Sequence, residues 1–199
     1  MISSRKELKE YLSYEKQFYL GRMGGGIYQN FLRIIKSHPD YYAWKYVKAL
    51  RVAGYYYSKR KENIFYSIMY FLKCRKKNKL GRKLGIEMHE RTCGKGLQIE
   101  HTQGIVVNGL AKIGENLILH GNNCIGVARN SKEVPVIGNN VRMGVGAKVI
   151  GNVVIADNVT IAAGAVVVKS CEQEYAVLAG VPARIVKVNQ KLAEGNING

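Results

Sequence analysis

The sequence has no apolar run of about 18 residues, the length that a helix needs to cross a bilayer. Its first residues, Met1 to Lys6, lead into a charged segment instead of the apolar core of a secretion signal. We therefore expect neither a secreted protein nor a membrane-spanning helix. The expected location is the cytoplasm, or the inner face of the membrane if the chain binds there peripherally.

Cysteines are few and scattered along the chain. The four of them form no Cys-x-x-Cys pair and have no His at metal-ligand spacing. We therefore expect no metal site, and we expect thiols that pack as small hydrophobic side chains. They are Cys74, Cys93, Cys124 and Cys171.

Acidic residues are scarce, with 14 Asp and Glu against 31 Lys and Arg, which gives a net charge of +17. The imbalance lies almost entirely in residues 1–86, which hold 20 of the basic and 5 of the acidic residues. The remaining residues are nearly neutral. Since 47% of the 199 residues are hydrophobic, the chain is long and apolar enough to bury a core. It therefore consists of two chemically different halves.

The second half contains a six-residue repeat. Steps of six from Val107 reach an aliphatic residue or Met at every stop, with one step of twelve after Ile125. The residue after most stops is Gly or Ala, which permits a tight corner. This period fits neither a helix nor a simple strand, and it predicts a three-sided coil whose inward residues stack on one another. The stops are Val107, Ile113, Leu119, Ile125, Ile137, Met143, Val149, Ile155, Ile161 and Val167.

The break in the repeat and the shift in charge predict the domain organisation. We expect a basic α-helical domain over residues 1–84, a β-helix over residues 85–187 and a tail over residues 188–199. Residues 127–136 interrupt the repeat but preserve its phase, as a loop that projects from one corner would do. Such loops often carry function.

The first half predicts helices. Ser4 and Glu7 have the spacing of a capping box for a helix through about Phe18. Further helices fit near residues 27–36, 41–57 and 61–79, the last with apolar residues at helical spacing. The basic segment has three open interpretations: a cap on the β-helix with a solvated basic face, a surface that docks on anionic membrane, or a nucleic-acid site. No recognised nucleic-acid motif accompanies it, so we expect no nucleic-acid partner.

Three stretches in the second half resemble the hexapeptide-repeat acyltransferases, and within them the serine acetyltransferase group. They are residues 100–107 (EHTQGIVV), 144–152 (GVGAKVIGN) and 179–186 (AGVPARIV). The resemblance extends over residues 85–187. It implies a left-handed parallel β-helix that transfers an acetyl group from acetyl-CoA to a hydroxyl group.

The resemblance places the catalytic base at His101, since an imidazole can take the proton of an attacking alcohol near neutral pH. It places the carboxylate that orients this ring at Glu87, where the family typically has Asp at a spacing one residue longer. Glu100 is the substitute for that role and a candidate acceptor contact. A step of six back from Val107 puts His101 at an inward position, so a core histidine is the alternative. His120 is either a second acceptor contact or a structural corner residue.

In the family that this sequence resembles, acetyl-CoA lies in a groove between neighbouring subunits, where small residues admit the ligand to the backbone. The resemblance therefore implies a homotrimer, or two trimers joined through the N-terminal helices. Two basic residues near the C-terminus are candidates for the nucleotide phosphates. The matching positions are Gly126, Gly144, Gly146, Ala147, Ala162, Ala163, Gly164, Arg184 and Lys187.

The acceptor is where this sequence departs from the pattern it resembles. Serine acetyltransferases carry Arg-His-Pro in the projecting loop, where the first two side chains hold the carboxylate of the amino acid. This chain has Glu133, Val134 and Pro135 there, and an acidic residue repels a carboxylate. We therefore expect a hydroxyl of a sugar or surface-polysaccharide precursor as acceptor. The alternatives are serine acetylation and a non-catalytic scaffold that binds a membrane or a partner.

Overall fold

The structure is a computed structural model that describes residues 2–21, 35–36, 38–128 and 133–189. Nearly all of the helix expected near residues 27–36 lies outside these ranges, as do the middle of the projecting loop and the end of the tail. In the described ranges, no helix combines the length and the apolar character needed to span a bilayer.

Three helices precede the repeat, as the sequence predicts for these segments. They are α1 (Arg5–Lys16), which continues into a π-helical turn at Gln17–Gly21, α2 (Pro39–Lys59) and α3 (Ile64–Leu84). Ser4 caps α1 by accepting a hydrogen bond from the backbone N–H of Glu7 at 3.1 Å. The Glu7 carboxylate accepts from the backbone N–H of Ser3 at 2.8 Å, one residue before the partner that a capping box predicts.

Short strands follow in the part of the chain that the structure describes. They are β1 (Ile86–Glu87), β2 (Gln98–Ile99), β3 (Ile105–Val107), β4 (Lys112–Ile113), β5 (Ile118–Leu119), β6 (Cys124–Gly126), β7 (Val136–Ile137), β8 (Arg142–Met143), β9 (Lys148–Ile150), β10 (Val154–Ile155), β11 (Thr160–Ile161), β12 (Val166–Val167), β13 (Ala176–Gly180) and β14 (Ala183–Val188).

These strands form the three faces of a left-handed β-helix. The first face has the order β1-β3-β6-β9-β12, the second β4-β7-β10, and the third β2-β5-β8-β11-β13-β14. All pairs are parallel except the β13–β14 hairpin at the end of the prism. Each strand pairs with the strand one coil away, so the sheets run along the axis of the prism.

The interior of the prism is built from the residues that the repeat selects. All ten predicted inward residues are buried, and the most accessible of them, Ile113, is 8% exposed. The small or aliphatic residues two positions before several of them, such as Leu117 and Val159, are buried as well. The sequence prediction of the core is therefore confirmed.

The projecting loop adds residues without changing this register. Leu119 pairs with Met143, 24 residues further on, whereas Met143 pairs with Ile161 after 18 residues. The six extra residues lie between Gly126 and Val136, and Ile125 and Ile137 on either side of them are both buried. The prediction that the loop preserves the phase of the repeat is confirmed.

The helices close the open end of the prism, where the first coil has no preceding coil to accept its hydrogen bonds. The Glu15 carboxylate accepts from the backbone N–H groups of Gly96 and Leu97 at 2.9 and 3.0 Å. The Tyr19 hydroxyl accepts from the backbone N–H of Ile99 at 2.8 Å. Side chains from the end of α1 and from the π-helical turn after it therefore replace the missing coil.

Arg51 of α2 completes this closure. Its guanidinium lies 2.6 Å from the Glu15 carboxylate, and it donates to the carbonyl oxygens of Cys93 at 2.8 Å and Gly94 at 2.6 Å. Burial alone lowers the pKa of Arg51, but the Glu15 carboxylate more than offsets this and raises the pKa above its ordinary value. A buried charge of this kind is tolerated because each of its partners is in place.

The stacked interior yields a stability prediction on adjacent residues of β11. We expect Ile161→Ala to lower the free energy of unfolding by ~2–5 kcal/mol, because it leaves a cavity in a fully buried stack. The matched control is Thr160→Ala, whose side chain points outward, and we expect a change below ~1 kcal/mol there. Urea unfolding measures both values. Equal losses for the two variants would contradict the inward and outward assignment.

Candidate active site

His101 lies at the corner that joins the third face to the first. Ile99 and Val107, the buried residues on either side of it, are eight residues apart, whereas their partners one coil on, Leu119 and Ile125, are six apart. The corner therefore contains two extra residues, and the backward step of six loses its phase there. His101 is exposed, so the core-histidine alternative is wrong.

Gly121 of the next coil lies directly against His101. Its φ is +93°, a backbone conformation that residues with a side chain rarely adopt. A Cβ atom at this position would lie 3.2 Å from the Cβ of His101 and 3.0 Å from its carbonyl oxygen. The glycine therefore lets the two coils approach closely at the backbone of His101. Gly121 was not predicted from the sequence, although it directly follows His120.

A track of bare backbone continues from Gly121 along the same corner of the prism. Gly146 donates its backbone N–H to the carbonyl of Gly121 at 3.0 Å, and Gly164 donates to Val145 at 2.8 Å. Gly146 and Gly164 also have positive φ, and a Cβ on Gly164 would have no neighbouring atom within 4 Å. This "glycine track" of Gly121, Gly146 and Gly164 starts at His101 and contains two of the predicted CoA contacts.

A second stack of residues, one from each successive coil, runs beside the glycine track at the edge of the third face. Glu100 stacks on His120 because the preceding residues, Ile99 and Leu119, pair in register. Above them follow two small residues that were predicted to contact CoA, Gly144 and Ala162. The structure therefore brings both predicted acceptor residues to the corner that holds His101.

Arg142 lies on the third face two residues before Gly144, and it was not predicted from the sequence. It is exposed, and its Nη1 lies 3.5 Å from Nε2 of His120 on the neighbouring coil. A guanidinium can only donate, so this contact is a hydrogen bond only in the tautomer that leaves Nε2 of His120 without a proton. Nothing in the repeat distinguishes Arg142 from a solvated outward residue, which explains why it was missed.

Other predicted CoA contacts lie elsewhere. Ala147 is fully buried inside the prism, so its side chain does not line a groove, and its assignment as a CoA contact stays a prediction. Gly126 lies at the opposite edge of the first face, where it pairs with Ile150. Arg184 and Lys187 are exposed on β14 at the end of the prism, and Ala163 is exposed beside Gly164. One copy of the chain therefore does not gather all of these residues into one groove.

Glu87 lies on the first face, one coil before His101, where it pairs with Val106 and is exposed. It borders a cleft of about 1230 Å³ between α3 and this face. Among the described residues, no hydrogen bond joins Glu87 to His101, and Glu100 accepts one from the side chain of Gln98. Which of the two carboxylates orients the imidazole stays a prediction.

The floor of this cleft holds a second buried ion pair. Lys77 of α3 donates to the Glu90 carboxylate at 2.7 Å, and the Tyr70 hydroxyl donates to the same carboxylate at 2.6 Å. Burial raises the pKa of Glu90, but these two donors outweigh it, so the pKa is lowered overall. His89 packs edge to face on Tyr57 at 5.3 Å, and burial lowers its pKa.

The cysteines have no partners in disulfide bonds. Cys93 and Cys171 are buried, as predicted, whereas Cys74 and Cys124 are half-buried. Burial raises the pKa of the Cys93 thiol to about 11, which keeps it protonated. Within the described residues, no group of three or more His, Cys, Asp or Glu side chains could hold a metal ion.

Comparison with solved structures first shows the fold of the chain. No family model matches the chain. Its fold matches the solved serine acetyltransferase of Neisseria gonorrhoeae with a TM-score of 0.73 and 23% identity, over 95% of this chain and 70% of that one. A structure of the serine acetyltransferase of Brucella abortus in complex with coenzyme A gives a TM-score of 0.72 at 24% identity, over 92% and 68%. The chain therefore has the left-handed β-helix fold of these structures.

Curated relatives give the closer likeness. The serine acetyltransferase of Synechococcus elongatus is 38% identical over 105 residues, which are 51% of this chain and 43% of the relative. That of Staphylococcus aureus is 39% identical over 106 residues, 52% of this chain and 49% of the relative. The chain spans about half the length of these relatives. About half of the chain is therefore similar in sequence to serine acetyltransferases, the group that its sequence motifs resemble.

The lowered pKa of Glu90 predicts a loss of stability in acid. A carboxyl group with a lower pKa in the folded state stabilises the fold above its unfolded pKa, near 4.5, and this contribution is lost as the pH falls through the folded pKa. We expect Glu90→Gln to lower stability at neutral pH and to flatten the decline below pH ~4.5. Urea unfolding over this range measures it, with the exposed Glu10→Gln as control. An equal decline in the free energy of unfolding for Glu90→Gln and the unmodified protein would contradict the lowered pKa of Glu90.

Proposed function

We propose that the protein transfers an acetyl group from acetyl-CoA to a hydroxyl group, with His101 as the general base. The observation that carries the proposal is the exposed imidazole of His101 at the start of the glycine track. Bare backbone lets an extended ligand approach closely and pair with amide groups. The corner therefore offers a path for the pantetheine arm that ends at a base.

The reaction requires a group that accepts the proton of the alcohol and an open path by which the alcohol reaches the thioester carbon. A neutral alcohol is a poor nucleophile, so His101 takes its proton while the hydroxyl oxygen forms a bond to the thioester carbon. The carbon–sulfur bond then breaks, and the departing thiol receives the proton back from the imidazolium. A carboxylate on the far ring nitrogen would stabilise the imidazolium, and Glu87 and Glu100 are the candidates for it.

The relatives support this activity. They are named serine acetyltransferases, and one of the matching solved structures is a complex with coenzyme A. The dispersed positions of Gly126, Arg184 and the glycine track support a groove shared between copies, because no single copy brings them together. We therefore propose a homotrimer, the closed ring in which each groove has two walls.

L-serine is the acceptor with the stronger support, since the curated relatives bear its name. The exposed guanidinium of Arg142 adds a local reason, because it lies 3.5 Å from His120, which stacks on Glu100 beside His101, and because a guanidinium fits a carboxylate. In this arrangement, Arg142 takes the role of the loop arginine that this chain lacks. The sequence-based preference for a sugar thus becomes the second candidate.

A sugar hydroxyl keeps one observation in its favour. Glu133 is exposed and Val134 half-buried at the place where the resemblance puts two carboxylate contacts. A carboxylate side chain there repels the carboxylate of an amino acid and tolerates a neutral sugar. The two candidates therefore differ in whether the acceptor carries a carboxylate, which a direct assay can resolve.

The role of His101 is tested by His101→Ala. We expect kcat/KM to fall by ~10²–10⁴-fold, the usual contribution of a general base. A thiol reagent measures CoA release with L-serine and with a panel of neutral hexoses and N-acetylhexosamines. The control is His38→Ser, which keeps a side-chain acceptor at the N-cap of α2. Full activity of His101→Ala, with its mass in light scattering unchanged, would contradict the proposal.

The acceptor is tested by Arg142→Gln. If serine is the acceptor, we expect its KM to rise by ~10–100-fold, because a charged hydrogen bond is lost, with partial recovery in Arg142→Lys. A neutral sugar would show little change. Turnover of sugars but not of serine would reject the serine candidate. Turnover of neither by the unmodified protein would favour the scaffold alternative.

A further inference from the structure

The exposed surface of α3, part of which borders the cleft, has two chemically distinct halves. In its first turns, five large apolar side chains are each 50% to 75% exposed. Their spacing places them on one side of the helix, opposite the side that buries Lys77 and Gly81. The five are Ile64, Phe65, Ile68, Phe71 and Leu72.

Cations continue the same side of α3 in its later turns. At 3.6 residues per turn, Arg75, Lys76, Lys79, Arg82 and Lys83 follow the apolar residues along one stripe. All five are exposed. The sequence from Ile64 to Leu84 contains seven Lys and Arg and neither Asp nor Glu. We call the five apolar and five basic residues together the α3 face.

We propose that the α3 face docks the protein on an anionic lipid surface. Exposed aliphatic and aromatic side chains can enter the boundary of the acyl chains, while the adjacent cations remain among negatively charged head groups. An exposed apolar group of this size costs free energy in water and marks an interaction site. The helical region thus holds the prism beside a membrane.

The charge and the apolar area of this face disfavour a second copy of the chain and a nucleic acid as its partner. A second copy would bring another α3 face with the same cations and no acidic residue to pair with them. A nucleic acid would match the cations but would leave Ile64, Ile68 and Leu72 in water. An anionic membrane satisfies both halves of the face. His101 is not part of the α3 face, so loss of vesicle binding and loss of acetyl transfer are separate outcomes.

The basic half is tested by flotation with vesicles of phosphatidylcholine containing phosphatidylglycerol, and with vesicles of phosphatidylcholine alone. We expect the protein to bind the anionic vesicles and not the neutral ones. The double variant Lys76→Gln and Lys83→Gln should weaken binding by ~25-fold, from about 1 kcal/mol for each cation near the surface. The matched control, Lys6→Gln with Lys9→Gln on α1, removes the same charge and should leave binding within ~3-fold.

The apolar half is tested by Phe65→Ser and Ile68→Ser, with the exposed Leu110→Ser of the prism as control. Each α3 variant should weaken vesicle binding by at least ~10-fold, and the control should not. Light scattering of the same variants tests whether the α3 face binds a second copy of the chain. Retention of a short DNA duplex tests whether it binds nucleic acid. Unchanged vesicle binding in these variants, or changes confined to particle mass or DNA retention, would overturn the proposal.

Discussion

Each inward side chain of the prism has to lie against its equivalent in the neighbouring coil, since a side chain out of register would leave a void or a clash in a close-packed interior. Extra residues can therefore enter only at corners. Two enter between Ile99 and Val107, and six enter between Gly126 and Val136. The first insertion turns His101 out of the core and the second forms the projecting loop. The candidate site thus follows from a packing constraint that confines irregularity to particular corners.

The open end of the prism imposes a second requirement. Backbone N–H groups of the first coil must find acceptors, and Glu15 and Tyr19 of the helical region supply them. Arg51 binds the carboxylate of Glu15 and so holds α2 at the same open end of the prism. Since α3 packs on both α2 and β1, this closure also fixes the cleft at Glu87 and the direction in which the α3 face points. The basic helices are thereby held on one end of the prism.

Much of the fold could be predicted because the repeat is local: a stop every six residues identifies inward positions such as Ile161 and Val167 without any knowledge of their partners. The eight-residue corner between Ile99 and Val107 could not be predicted, because the sequence shows no break there. Only the pairing of Ile99 with Leu119 reveals the two extra residues. The ion pair of Glu15 with Arg51 joins residues 36 positions apart that have no shared local pattern. Small size alone could not separate Gly146 and Gly164, which lie on the glycine track, from Ala147, whose small side chain packs in the core.

The central claim is that an imidazole at this corner meets a thioester lying along the glycine track. The most direct measurement is a crystal structure of the protein in complex with CoA. The account predicts the sulfur atom within hydrogen-bonding reach of the ring of His101, the pantetheine arm against Gly146 and Gly164, and a second copy forming the other wall. A sulfur atom bound in the cleft beneath α3, with His101 facing only solvent, would contradict it.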